Sequence, residues 1–236
     1  GIRDVAPSRG LGDVYKRQHQ KMPTTRIEYS YYLMAVDAEL QMMPSRLLEG
    51  EQTAHFLTER FDRQNGKKVH IQTLAAMNPS ADSYEALFEA ACRIGVPPGE
   101  LRQLFRSMVL NVLGGNVDDH NKNFSFLMDD DGHWHVAPTY DYTFSVDPDA
   151  PYYVNRHSMT INNKTEGITA EDLLEVARRY GIKAAEPFIE KAIGIVSHYP
   201  EYGREAGVGE EWIGTIEKEI AARIECVSDN RADRLK

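Results

Sequence analysis

Residues 115–145 read GNVDDHNKNFSFLMDDDGHWHVAPTYDYTFS, and this stretch decides the fold that the sequence predicts. Two apolar runs, 124–128 and 134–137, flank the tetrapeptide Asp-Asp-Asp-Gly, and an Asp-Gly pair between such runs favours the tight turn of a β-hairpin. Asp118 lies in a polar loop before the first predicted strand, and Asp141 lies just beyond the second. The sequence therefore predicts that a hairpin returns Asp141 to the side of the loop.

The polar loop contains residue types that suit phosphoryl transfer. Asp118 and Asn123 have the spacing D-x-x-x-x-N, in which the carboxylate accepts the proton of the acceptor hydroxyl and the carboxamide binds a metal ion. Asp141 is a candidate second ligand for Mg²⁺, and Lys122 would direct a cation at the transferred phosphoryl group. His120 is a further catalytic candidate, with a role in orienting the loop as the alternative. The spacing alone is a weak signal, but its combination with the hairpin is more specific.

Helical periodicity dominates the chain on both sides of this stretch. The predicted helices cover 27–40, 84–94, 98–113 and a C-terminal segment that contains Ile213, Ile216, Ile220 and Ile224. The helix at 98–113 has an apolar stripe and is predicted to end at Gly114-Gly115; the stripe consists of Leu101, Leu104, Phe105, Met108, Val109 and Val112. Thr169 and Asp172 have the spacing of a capping box at the start of another helix, and Gly181 is a plausible C-terminal cap. Short strands are predicted at 45–48, 54–61 and 156–161. We therefore expect an α+β fold that is mostly α-helical.

The composition is that of an ordinary globular chain. The chain has 236 residues, 42% hydrophobic and 27% charged, enough to bury the core of one large domain or two small ones. The net charge of -9 argues against a protein that binds nucleic acid irrespective of sequence. We find no signal peptide and no apolar run near the roughly 18 residues of a membrane-spanning helix. Cys92 and Cys226 are too few for a disulfide framework, so we expect reduced thiols in a cytoplasmic protein.

The segments NVDDHNKNFSFL and WHVAPTYDYTFS resemble the catalytic segment of the HipA family, the serine/threonine kinase toxins of bacterial toxin–antitoxin pairs. Three earlier segments, IEYSYYLMAVDAEL, RLLEG and AHFLTERFDR, are similar to the C-terminal region of that family and occur in the same order. The similarity extends from Ile27 to about Lys191. It implies the C-terminal lobe of a protein-kinase-like (HipA-like) fold with part of the hinge sheet.

The resemblance also implies roles for individual residues. Asp118 corresponds to the catalytic aspartate, and Asn123 and Asp141 correspond to metal-binding residues. Residues 59–62 correspond to the strand and hinge that contact the adenosine of ATP, and the side chains we assign to this contact are those of Glu59, Phe61 and Asp62. Glu28 is a weaker candidate for pairing with an ATP-binding lysine.

The expected cofactors are ATP and Mg²⁺. The resemblance implies a protein substrate, an aminoacyl-tRNA synthetase in characterised relatives, and an antitoxin partner that binds DNA. We expect no membrane partner and no direct contact of this chain with nucleic acid.

We expect three segments along the chain. Residues 1–18 resemble a translated, non-native linker, 19–66 would form the end of the N-terminal lobe and the hinge, and 67–236 would form a helical C-terminal lobe. The family's N-terminal lobe should supply a phosphate-covering loop, an ATP-binding lysine and a regulatory serine, and none has a counterpart here. The sequence contains neither G-x-G-x-x-G nor G-x-x-x-x-G-K-[ST]. We therefore expect an N-terminally truncated kinase that is inactive as it stands.

Two alternatives remain open at this point. A metal-dependent hydrolase would use Asp118, His120 and Asp141, with Asp119 as a further metal ligand. His133 and His135 would support it because alternate residues of a strand point to the same face. A non-catalytic interaction module would keep the fold and ignore ATP. The run of acids at the hairpin tip is predicted to be a solvated turn.

Overall fold

The computed structural model describes residues 22–51, 53–64, 66–151 and 154–229, so the predicted linker segment 1–18 lies outside the described residues. The helices are α1 (Thr24–Asp37), α2 (Leu74–Met77), α3 (Tyr84–Arg93), α4 (Leu101–Gly114), α5 (Ala170–Arg179), α6 (Ala185–Val196), α7 (Tyr199–Glu205) and α8 (Glu210–Ser228). The strands are β1 (Ser45–Glu49), β2 (Ala54–Thr58), β3 (Arg63–Gln64), β4 (Lys67–Lys68), β5 (His70–Thr73), β6 (Ser125–Met128) and β7 (Trp134–Val136).

The strands form small antiparallel sheets. β1 pairs with β2, β3 pairs with β4, and β5, β6 and β7 form a three-stranded sheet in that order. The β1–β2 hairpin packs one face on α1, where the ring of Phe56 lies 6.5 Å from Tyr29 and 6.4 Å from Tyr32 between centroids. A two-stranded hairpin is marginal alone, so this aromatic contact with α1 helps to stabilise it.

Helix α4 runs through the centre of the core. Its predicted apolar stripe is buried, and residues between the stripe positions are buried too, as in Leu110 and Asn111. The helix ends where Gly115 adopts a left-handed conformation with φ 68°. A Cβ atom at Gly115 would lie 3.3 Å from the Phe144 and Val146 side chains, so both the backbone conformation and the limited space favour glycine.

Most predicted elements are confirmed, with several differences. The capping box between Thr169 and Asp172 is present, and α4 begins at Leu101 rather than at Pro98. The predicted strand at 156–161 is wrong, because this segment makes only isolated bridges, including one from Thr160 to Ser83. Strand β5 was not predicted.

Two further sequence expectations concern membranes and thiols. None of the described helices is both long enough and apolar enough to span a bilayer. Cys92 and Cys226 are free thiols, of which Cys92 is exposed and Cys226 is partly buried.

Candidate active site

The loop after α4 is tied to the segment that follows β7. The Ser145 hydroxyl accepts the backbone N–H groups of Val117 at 2.7 Å and of Asp118 at 3.0 Å. The buried side chain of Asn116 donates from Nδ2 to the Asp141 carbonyl oxygen at 3.4 Å and accepts from the Ser145 hydroxyl at 3.2 Å. The hairpin therefore returns Asp141 to the side of the loop, as the sequence predicts.

Within the loop, Asp118 and Asn123 are in direct contact. The Asn123 amide Nδ2 donates to the Asp118 carbonyl oxygen at 3.0 Å. The Asp118 side chain is 47% exposed, and its Oδ1 lies 3.9 Å from His120 Nε2, a distance too long for a hydrogen bond. The Asp118 carboxylate thus faces solvent from a loop whose backbone is fixed, which suits a group that must meet a substrate.

Asp141 has an unusual backbone conformation. Its side chain is exposed and its φ is 55°, in the left-handed region that few non-glycine residues occupy. The preceding Tyr140 is anchored, because its hydroxyl donates to the Lys122 carbonyl oxygen at 2.8 Å and lies 2.5 Å from the Ser125 hydroxyl. Burial raises the pKa of the Tyr140 phenol, so Tyr140 remains a donor. These bonds hold the turn that presents Asp141 beside the loop, while the Lys122 side chain is exposed.

The segment predicted to contact adenosine approaches the turn at Asp141 through the ring of Phe61. Phe61 stacks on Tyr140 with centroids 5.6 Å apart and an interplanar angle of 29°. Asp62 is engaged differently, since Arg60 binds both of its carboxylate oxygens, at 2.8 and 2.6 Å, and Arg63 binds one at 3.0 Å. The hydrogen bond from Arg60 lowers the pKa of Asp62 against the effect of burial. Glu59 is exposed, and its backbone N–H bonds to Pro44.

The histidines of the hairpin do not join this site. His133 Nδ1 lies 3.3 Å from Asp129 Oδ2, and His135 Nδ1 lies 2.8 Å from Glu100 Oε1. Among the described residues, the one set of three His, Cys, Asp or Glu side chains gathered closely enough for a metal ion is Asp129, Asp131 and His133, all exposed. The hydrolase alternative needed Asp118, His120 and Asp141 in such a set, and the described residues do not provide it.

The donor set at the loop fits Mg²⁺. Asn123 uses its amide nitrogen on Asp118, which leaves its carbonyl oxygen as the atom for a cation, and Asp141 offers an exposed carboxylate. Mg²⁺ prefers such oxygen ligands and keeps several waters, so the chemistry of these two donor groups suits it.

Sequence reasoning missed the residues that hold the loop. Asn116 and Ser145 were not singled out, and Asp119 was considered only as a metal ligand, although it is fully buried. A polar side chain directly after the helix-ending Gly115 was the available signal for Asn116. No local signal marks Asp119 as buried, because its partners are distant in sequence.

The chain matches a known family over most of its length. Residues 10–201 match the family model described as the HipA-like C-terminal domain. A comparison with curated protein sequences found no match.

Two solved structures are similar in fold. One is a chain of the Shewanella oneidensis MR-1 complex of the toxin–antitoxin system HipA and HipB with operator DNA, with a TM-score of 0.64 and 19% identity. That match covers 89% of this chain but 56% of the other, so this chain spans little more than half of its length. The other is the Helicobacter pylori proinflammatory kinase CtkA, with a TM-score of 0.58, 18% identity, and coverage of 91% of this chain and 90% of CtkA.

These similarities confirm the predicted kinase-like α+β fold. Because the family model covers most of the sequence, the chain belongs to the family of HipA-like C-terminal domains.

Proposed function

We propose that this chain carries the catalytic loop of an ATP-dependent protein serine/threonine kinase of the HipA type. In this reaction a serine or threonine hydroxyl oxygen attacks the γ-phosphorus of ATP. The bond between that phosphorus and the β,γ-bridging oxygen breaks, ADP leaves, and the proton of the hydroxyl passes to a carboxylate. Asp118 is the residue that accepts this proton.

The observation that carries the proposal is the pairing of the loop with the segment after β7. Hydrogen bonds from the backbone of Val117 and Asp118 to Ser145, and from Asn116 to the Asp141 carbonyl oxygen, hold the loop that carries Asp118 against the segment that carries Asp141. Phosphoryl transfer depends mainly on positioning and on neutralising charge, so a rigid frame for these groups is the main requirement.

Asn123 and Asp141 would hold Mg²⁺, which when bound neutralises charge on the phosphate oxygens. Lys122 would add a cation near the transferred group, and His120 would help to orient the loop. In the hinge segment, the stacking of Phe61 on Tyr140 supports a position for the nucleotide next to Asp141. Glu59 would contact the adenosine. Asp62 would bind the ribose while it keeps its ion pairs with Arg60 and Arg63.

Partners follow from the same family assignment. The similar Shewanella chain occurs in a complex with HipB and operator DNA, which supports a DNA-binding antitoxin as the partner of this chain. We propose that the chain is cytoplasmic and acts on a protein substrate, with an aminoacyl-tRNA synthetase as the first candidate. Because the sequence contains no glycine-rich phosphate-binding motif, we expect the chain to bind nucleotide more readily than it transfers phosphate.

The test is calorimetric titration of the chain with Mg²⁺-ATP. Wild-type protein should bind, Asp141→Ala should bind at least about tenfold more weakly, and Asp131→Ala at the exposed hairpin tip should match the wild type. Equal affinity for the wild type and Asp141→Ala contradicts the proposed metal site. If the folded chain does not bind Mg²⁺-ATP, it is a non-catalytic interaction module instead.

A further inference from the structure

Asp119, next to the proposed base, is a buried carboxylate at the meeting point of several elements. Its side chain is fully buried. Its Oδ2 accepts from the Tyr84 hydroxyl of α3 and from His157 Nδ1, each at 2.8 Å. Its Oδ1 accepts from the backbone N–H groups of Ser158 at 2.8 Å and of Met159 at 3.4 Å.

The surroundings of Asp119 direct hydrogen-bond donors at both oxygens of its carboxyl group. Both oxygens face N–H or O–H donors, so a proton on either oxygen would oppose a donor. Burial and the adjacent Asp119 raise the pKa of the Tyr84 phenol well above its usual range, so Tyr84 keeps its proton and donates it. A buried charge is tolerated only when it is hydrogen-bonded in this way, and removing its acceptor capacity leaves buried donors unpaired.

The network extends to two more helices. The Tyr84 hydroxyl accepts from Asn111 Nδ2 of α4 at 2.9 Å. Arg223 Nη1 of α8 lies 3.4 Å from His157 Nε2, the ring nitrogen that does not contact Asp119. Asp119 therefore joins the loop to α3, to α4 and, through His157, to α8.

An open groove of about 340 Å³ lies against the same residues. Its lining includes His120 and Asn121 from the loop and Ser158 and Met159 from the segment that Asp119 binds. The wall at 79–82 is tied to the loop by Asn121, whose Nδ2 donates to the Ala81 carbonyl oxygen at 2.8 Å. One wall of the groove thus depends on Asn121 and the other depends on Asp119.

We propose that Asp119 is a positioning residue that fixes the Asp118 loop and the Ser158–Met159 wall as one unit, so that an acceptor segment in the groove meets Asp118. The inference rests on the proposed kinase function. Misplacing a reacting group by about 1 Å can lower a rate about 100-fold, so this unit should control transfer rather than nucleotide affinity.

The first experiment compares Asp119→Asn with Asp172→Asn in the full chain, with ATP and casein as acceptor. Asp172 is also a largely buried carboxylate, but it pairs with Lys164 and Thr169 at the start of α5. Asp119→Asn should lower kcat about 100-fold and leave the KM for ATP within about twofold. Asp172→Asn should lose thermal stability and keep kcat. Equal loss of kcat in both variants, or none in Asp119→Asn, overturns the inference.

The second experiment does not require activity and separates failure of this inference from failure of the kinase proposal. Amide hydrogen exchange is followed by NMR at 117–123 and at Ser158 and Met159. In Asp119→Asn both segments should exchange at least about tenfold faster together, and in Asp172→Asn neither should change. Unchanged protection of 117–123 overturns the inference even if the wild type transfers no phosphate. If Asp119→Asn does not fold, Tyr84→Phe, which removes one donor, should give the same pattern with smaller amplitude.

Discussion

Asn123 donates a hydrogen bond from Nδ2 to the backbone carbonyl oxygen of Asp118 at 3.0 Å. The two ends of the D-x-x-x-x-N spacing are thus bonded to each other. The bond closes the loop. Because a backbone carbonyl oxygen accepts hydrogen bonds and does not donate them, the Asn123 side chain must contact it through the NH₂ group, which leaves the amide oxygen for a cation. Spacing and geometry are connected here, since the intervening residues form the turn that allows the contact.

Two substitutions of Asn123 distinguish its hydrogen bond within the loop from its proposed role as a Mg²⁺ ligand. Asn123→Ala removes the loop bond and the candidate Mg²⁺ ligand, and we expect about 1 kcal/mol of lost stability and at least about tenfold weaker Mg²⁺-ATP binding. Asn123→Asp keeps oxygen ligands but sets a carboxylate against the Asp118 carbonyl, so it should destabilise the fold more than alanine does. Urea unfolding and calorimetry measure the two effects. If aspartate proves as stable as asparagine, the loop bond does not contribute as the distance suggests.

Asp118→Asn tests the proposed base. The backbone N–H that binds Ser145 and the carbonyl that binds Asn123 are both kept, so the melting temperature should not change. Loss of a general base lowers turnover by roughly 10²- to 10⁴-fold, and we expect a fall of that size in phosphate transfer. Asp130→Asn, in the exposed hairpin tip, is the matched control and should transfer at the wild-type rate. Undiminished turnover in Asp118→Asn would remove the assigned role.

Gly115→Ala tests the junction between the core helix and the loop, with Gly181→Ala as its control. Both glycines have a left-handed φ, 68° and 66°, but a Cβ at Gly115 would touch Arg223 and Phe144 at 3.3 Å whereas Gly181 has open space. The backbone conformation costs alanine about 1–2 kcal/mol at either position, and crowding adds about 1–3 kcal/mol at Gly115. Urea unfolding should therefore show a larger loss for Gly115→Ala. Equal losses would mean that the neighbours of Gly115 move aside.

The elements that sequence predicted are those with local signals. The α4 stripe repeats at helical spacing, Gly115 marks the helix end, and Asp-Gly marks the β6–β7 turn. The segment 156–161 was predicted as a strand from its residue types, yet its backbone N–H groups go largely to other partners, such as Val117 for Ser158. Strand formation depends on a neighbour to pair with, and the sequence of one segment does not contain that information.

The same distinction applies to the site. Asp118, Asn123 and Asp141 were predicted because one loop and one hairpin carry all of them. The stack of Phe61 on Tyr140 and the bond from Tyr84 to Asp119 join residues that are far apart in the chain. Such contacts depend on how the helices pack, which the local sequence pattern does not encode.

His135 provides a test by pH. Its Nδ1 lies 2.8 Å from Glu100 Oε1, and its Nε2 lies 3.3 Å from Asp129 Oδ2. The hydrogen bond with Glu100, and secondly that with Asp129, raise the pKa of His135 above its ordinary value of about 6.5. A raised folded-state pKa stabilises the fold fully below the unfolded-state pKa, and this contribution is lost as the pH rises through the folded-state value.

An NMR titration of the imidazole should therefore give His135 a pKa above about 6.5, and Glu100→Gln should lower it. The difference in unfolding free energy between the wild type and Glu100→Gln should shrink as the pH is raised from about 6 through the folded-state pKa of His135. Glu225→Gln, at an exposed position on α8, is the control and should leave the titration unchanged. Glu100 also accepts the Val136 N–H through its other oxygen at 2.8 Å, so part of the stability loss should persist at high pH. If the loss of unfolding free energy in Glu100→Gln does not change with pH, the whole effect comes from the hydrogen bond to Val136. The charge on His135 would then not contribute to holding the hairpin against α4.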